Sequence, residues 1–308
     1  MKRFLDCNSS DFEKMTGKEL LEAIRKSEGR ILACETIGVT MPMLGDVTNA
    51  EFVAAMGADI IILNLFDVNE PVILGMPKVE SKDTIKEIKR LTGRPIGINL
   101  EPVEQSLSNK EEDNPLWKMT EGRKATYENV KVAYEMGVDL IILTGNPGSG
   151  VSNKAITESI KMIRENLGDN IVIISGKMHG SGILAESGEK IITKDDIRNF
   201  VDAGIDIVLM PAPGTVPGIT MEYIRELVLY AHSLGVLTLT TIGTSQEGAD
   251  TATIKEIALM CKMTGTDIHH LGDTGYFGMA LPENILAYGT AIRGVRHTYH
   301  RMAISIKR

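Results

Sequence analysis

Cysteine is scarce. Cys7, Cys34 and Cys261 are odd in number and far apart. That excludes a readable disulfide framework or zinc knuckle, and it fits a reducing, cytoplasmic setting. Positive charge is also short: 33 Lys and Arg stand against 41 Asp and Glu, a formal net charge of -8. General binding to nucleic acid or to an anionic membrane needs a basic surface, so both are excluded as partners. The balance still permits a small anionic substrate in a local positive pocket. No apolar run is long enough to span a bilayer. The opening Met1-Lys-Arg-Phe-Leu-Asp6 lacks the apolar centre of a signal peptide, so no leader is expected. No Walker or Rossmann fingerprint occurs with its required strand and spacing.

What is present is alternation. After a polar arm and a helix over 1–29, short β-branched runs at 30–36, 58–64, 95–101, 139–144, 171–175, 206–210, 236–241 and 267–271 read as buried strands. Helical spacing follows each one, at 49–56, 82–91, 122–136, 153–167, 194–203, 221–234, 249–263 and 282–302. Eight strands and eight helices in strict order predict an α/β fold, one (β/α)8 TIM barrel over 30–308 with the N-terminal segment as a helical cover. A doubly wound open sheet is the alternative. Gly57-Ala-Asp59, Gly137-Val-Asp139, Gly204-Ile-Asp206 and Gly265-Thr-Asp267 each stand between a helix and an even-numbered strand. Glycine suits the left-handed residue that ends a helix, and the aspartate can satisfy backbone groups at the strand starts. These aspartates are therefore assigned to stability.

In a barrel the chemistry sits where strands end. The run Ile171-Val-Ile-Ile-Ser-Gly-Lys177-Met-His179 delivers a lysine and a histidine to that position. Beside them stand Glu35, Asn64, Asn99, Glu101, Thr144, Asn146, Thr244, His269, His270 and Asp273. Polar groups crowded at one end of apolar strands are costly unless they serve each other or a ligand. Glycine-rich turns at 145–150, at Gly243-Thr244 and at Gly272-Asp273 offer backbone N–H groups to a phosphate, or are ordinary tight turns. Adjacent strand residues point to opposite faces, so at most one of His269 and His270 faces the axis.

Several segments resemble the BtpA-like family of TIM-barrel proteins. They are Ile62-Leu-Asn-Leu-Phe-Asp67, Arg94-Pro-Ile-Gly-Ile-Asn99, Lys177-Met-His179, and Asp206-Ile-Val-Leu-Met210 with Gly214-Thr215. The family's first-strand histidine and proline-glycine signature is replaced here by Cys34-Glu35-Thr36. A likeness to phosphoenolpyruvate-mutase-like lyases exists at the level of fold only. The resemblance implies the barrel. Through members linked to photosystem assembly, it also implies an alternative reading as a non-catalytic assembly or regulatory factor.

The residues themselves point first to an enzyme. It would act on a small phosphorylated or carboxylated metabolite as a lyase or isomerase of sugar metabolism, with Lys177 as electrophile or Schiff-base former and Glu35 or Glu101 as base, His179 adjoining. A second enzymatic reading is a hydrolase with one divalent cation held by Glu35, His269 and Asp273. The small residues Ala287, Gly289, Ala291 and Gly294 of the last helix, with a loop carrying Trp117, anticipate a homo-oligomer.

Overall fold

Runs of Ile, Val and Leu bounded by glycine and aspartate form the strands of a closed parallel barrel. They are β1 Ile31–Ile37, β2 Ile60–Asn64, β3 Ile96–Leu100, β4 Leu140–Leu143, β5 Val172–Gly176, β6 Ile207–Pro211, β7 Leu237–Ile242 and β8 Ile268–Leu271. Each pairs with the next, and β8 returns to β1 with Ile268 beside Ile31. This computed structural model describes residues 1–103, 119–145, 151–180 and 187–308. Two helices, α1 Ser9–Phe12 and α2 Gly17–Arg25, precede β1. One helix then follows each strand: α3 Asn49–Ala55, α4 Thr84–Thr92, α5 Tyr127–Met136, α6 Asn153–Leu167, α7 Lys194–Ala203, α8 Met221–Ser233, α9 Thr251–Thr264 and α10 Pro282–Ala303. The expected TIM barrel is the observed one. No helix among the described residues is long and apolar enough to cross a membrane.

Strand alternation divides the core into two layers. Leu32, Cys34, Ile61, Leu63, Ile141, Ile173 and Val208 face outward and pack beneath the helices. Ile31, Ala33, Ile60, Ile62, Leu140, Ile142, Val172, Ile174, Ile207 and Leu209 fill the axis. Phe4, Leu5, Phe12, Leu20 and Ile24 of the arm and α2 join this inner layer. They reach it at the strand starts, so the N-terminal segment closes that end of the barrel. Access to the axis is left to the opposite end.

The four glycine-aspartate steps form one repeated fastening. Asp59, Asp139, Asp206 and Asp267 each accept a 2.8 Å hydrogen bond from a backbone N–H of the preceding odd strand, at Leu32, Ile96, Ile173 and Thr238. Each aspartate N–H returns a bond to the carbonyl of that same residue. A basic side chain joins each step: Arg293, Lys89, Arg164 and, charged when protonated, His232. The first step is the most buried. Arg293 and Arg301 both pair with Asp59, all three side chains being wholly buried, and Arg301 also donates to Cys7 O at 2.9 Å. The cover is thereby tied to the barrel.

Two boundaries differ from the sequence reading. The helix expected from Gly122 begins at Tyr127, because Thr126 caps it by accepting from Asn129 N while a short turn, Glu121–Arg123, stands apart. The last helix is kinked at Gly294, whose φ of 72° breaks helical geometry and brings Thr298 back against Gly289. Ala287 and Gly289 are buried within the chain's own packing. The Trp117 loop lies outside the described residues.

Replacing Asp59 by alanine strips two buried guanidiniums of their counter-charge. It should cost about 3–5 kcal/mol, read by urea unfolding, whereas the same change at Asp267 should cost clearly less because its partner His232 is part exposed. His232 supplies a pH test. The bond to Asp267 raises its pKa above 6.5. Its stabilisation is therefore complete below the ordinary value and is lost as pH rises through the raised one. The stability gap between the wild type and His232→Gln should be full below about pH 6 and close as pH rises past 6.5 through the raised value.

Candidate active site

Alternation also decides which strand-end side chains meet. The inward series are Ile31, Ala33 and Glu35 on β1, Ile60, Ile62 and Asn64 on β2, and Gly97 and Asn99 on β3. They are Leu237, Leu239 and Thr241 on β7, and Ile268 and His270 on β8. Each apolar series ends in a polar group at the open mouth.

Asn99 joins the two sides of the cluster. Its Nδ2 donates to Glu35 Oε1 at 2.6 Å and to Asn64 Oδ1 at 3.0 Å. Asn64 Nδ2 donates in turn to Asp273 Oδ2 at 2.7 Å. Two carboxyls are thus linked through two amides. Next to them, His270 Nδ1 meets Thr241 Oγ1 at 2.6 Å, and His270 Nε2 stands 3.9 Å from Glu35 Oε2. Glu247, from the turn after β7, accepts from Thr274 N through Oε1, while its Oε2 and Asn99 Oδ1 are buried with no hydrogen-bond partner.

The electrostatics follow from burial. Desolvation pushes the Glu35 carboxyl well above its ordinary 4.5, and repulsion from Asp273 adds to this while the Asn99 bond opposes it. Burial likewise raises Asp273, against the bonds from Asn64 and Gly275, and raises Glu247. Burial pushes His270 down to about 3, so the imidazole is neutral. A carboxyl and a neutral imidazole side by side, both displaced by environment, form the pattern from which acid–base sites are built.

The remaining candidates divide. Lys177 directly follows β5 and is buried at 6% exposure. Gly176, just before it, lets β5 lie close against β6, since a Cβ on it would lie 1.9 Å from Leu209 O. His179 is half-buried, and burial lowers its pKa. Glu101 pairs with Arg123 in a buried contact. Thr144 Oγ1 donates to Gly176 O at 2.9 Å and ties β4 to β5. Asn146 lies outside the described residues.

Two expectations are corrected. His269 is not at the mouth. It faces outward, bonded through Nδ1 to Tyr288 and through Nε2 to Gly29 O, both at 3.0 Å. The expected cation set of Glu35, His269 and Asp273 therefore does not converge, and among the described residues no group of three or more His, Cys, Asp or Glu does. The turn at Gly272-Asp273 is not an open anion nest. Gly272 N donates to Ile242 O, Thr274 N to Glu247 and Gly275 N to Asp273. Carboxylates hold two of the amides a phosphate would need. At the turn after β7, Gly243 lies close to Met178, since a Cβ on it would stand 2.2 Å from Met178 Sδ, and the Thr244 hydroxyl donates to Thr215 O at 2.9 Å.

Sequence reasoning missed Arg123 and Glu247 and left His270 unchosen. Arg123 sits in a polar stretch with no periodicity to mark it. For His270 the inward series on β8 supplies the signal once the face of Ile268 is known.

A carboxyl raised by burial is a source of instability. The folded protein holds a Glu35 proton that the unfolded chain releases above 4.5, so this site loses stability as pH rises through that window. Glu35→Gln should unfold at a higher temperature than the wild type above about pH 7 and match it near pH 4. Equal midpoints at both pH values would count against the raised pKa.

Among curated proteins none matches the chain. Solved structures share its fold. The carboxyl transferase domain of Rhizobium etli pyruvate carboxylase is 13% identical with a TM-score of 0.55, over 96% of this chain and 51% of that one. The same domain with pyruvate is 11% identical with a TM-score of 0.55, over 98% of this chain and 52% of that one. The chain spans about half their length. At such identity the likeness is of fold alone. The BtpA-like resemblance is not confirmed by these matches. A family model described as Domain of unknown function (DUF7916) matches residues 5–308, and the chain belongs to that family.

Proposed function

We propose that this protein is an enzyme acting on a small carbonyl metabolite that bears a carboxylate or phosphate, as a lyase or isomerase. One observation carries the reading. Glu35 is a buried carboxyl at the mouth, raised by desolvation and, among the described residues, hydrogen-bonded by Asn99 alone. A carboxyl of raised pKa is a stronger base than a solvated one, which suits removal and return of a proton beside a carbonyl. Glu101, the other candidate base, is neutralised by Arg123, so the role falls to Glu35. Lys177 supplies the positive charge for the anionic group or the carbonyl oxygen. With the turn amides after β8 occupied, the lysine is the better anchor.

The test is hydrogen exchange. The protein in D2O, offered a panel of 2-oxo acids and ketose phosphates, should exchange the C–H next to the carbonyl in one class of compound, followed by NMR. Glu35→Gln should slow that exchange by about 100-fold or more. Lys177→Met should weaken binding of the same compound. Borohydride trapping with mass spectrometry then separates an imine at Lys177 from a purely electrostatic role. A panel with no exchange sinks the reading, and a Lys177→Met protein with full activity removes the lysine from the reaction.

A further inference from the structure

We infer that His270 is the electrophile of this site, a neutral imidazole donating Nε2–H to the carbonyl oxygen of the substrate, with Thr241 as the residue that fixes its tautomer. The inference rests on reading Glu35 as the proton-transferring group.

The argument is one of hydrogen-bond accounting. Thr241 is buried, and its Oγ1 meets His270 Nδ1 at 2.6 Å. A buried hydroxyl hydrogen needs an acceptor. If Nδ1 carried the proton, Thr241 would accept and its own hydrogen would face no other acceptor among the described residues, at a cost of about 1–3 kcal/mol. If Nδ1 is the acceptor, both groups are satisfied, and the ring proton resides on Nε2. The ring then aims that N–H toward Glu35 Oε2, 3.9 Å away. This is too long for a hydrogen bond, so the donor is not consumed by the carboxyl. The His270 and Glu35 side chains keep 3% and 7% of their surface exposed.

The neighbouring histidine makes the contrast. His269 has both nitrogens engaged, by Tyr288 and by Gly29 O, and serves the packing between β8 and α10. His270 has one nitrogen engaged and the other directed at the acid–base group. Its environment also keeps it uncharged. A neutral imidazole suits a developing enolate better than an imidazolium would, because it stabilises the charge without drawing Glu35 into an ion pair.

The step balances without a co-reactant. The Glu35 carboxylate takes the proton from the carbon next to the carbonyl. The electrons of that C–H bond form the new carbon–carbon double bond, and the carbonyl π pair moves onto oxygen. His270 Nε2–H hydrogen-bonds that oxygen, and Glu35 returns the proton to the same carbon or its neighbour.

Two-bond 1H–15N correlation on protein labelled at histidine reads the tautomer in the unliganded protein. The expected His270 pattern is Nε2–H, unchanged between about pH 5 and about pH 8. Thr241→Val should turn it into a mixture of tautomers. In the exchange assay the same variant should lower kcat by about 10-fold or more with KM within about twofold, and His270→Gln should retain more rate than His270→Ala. An Nδ1–H pattern, an imidazole titrating near its ordinary value, or a Thr241→Val protein unchanged in tautomer and rate would overturn the inference. Exchange intact in the wild type with an Nδ1–H ring overturns this inference alone. No exchange with any compound overturns it together with the reading of Glu35.

Discussion

A closed barrel sends every second side chain of each strand to its axis, and this alternation governs the rest of the molecule. The same parity that makes Ile31 and Ala33 core residues makes Glu35 a mouth residue. The same parity that buries Ile268 at the axis delivers His270, and it excludes His269. Phe4, Leu5, Phe12 and Leu20 close the strand starts, so polar groups collect at the end left open.

The two ends use charge in opposite ways. At the strand starts every repeated aspartate receives a backbone N–H and a cation, and the most buried receives two arginines. Paired opposite charge works against desolvation there, although burial still raises Asp139 and Asp206. At the mouth Glu35, Asp273 and Glu247 are buried beside two amides and a neutral imidazole, and all three carboxyls are pushed upward. Full ion pairs gather at the closed end, and carboxyls without a cation at the open one. That separation of fold from reactivity is what a barrel scaffold permits.

Much of this was legible in the sequence. Alternating strand and helix patterns announce the barrel, and the glycine-aspartate recurrence marks its even strands. Gly57, Gly137, Gly204 and Gly265 all adopt positive φ, as a helix-ending glycine should. Glu35, Asn64, Asn99 and Asp273 were recognisable as strand-end polar residues, and they form one hydrogen-bonded network. What could not be read was pairing between distant segments. The Arg123–Glu101 contact spans 22 residues and crosses a long polar segment. The closing of the Gly272 turn by Glu247 depends on two loops meeting. The choice between His269 and His270 depends on strand register, because a shift of one residue exchanges the faces.

The account turns on the ionisation of one side chain. A 13C NMR titration of the glutamate side-chain carboxyls, with Glu35 assigned by the signal lost in Glu35→Gln, measures it directly. The account predicts a Glu35 midpoint well above the ordinary 4.5, with a second inflection where Asp273 titrates beside it. A single midpoint at or below 4.5 would contradict it.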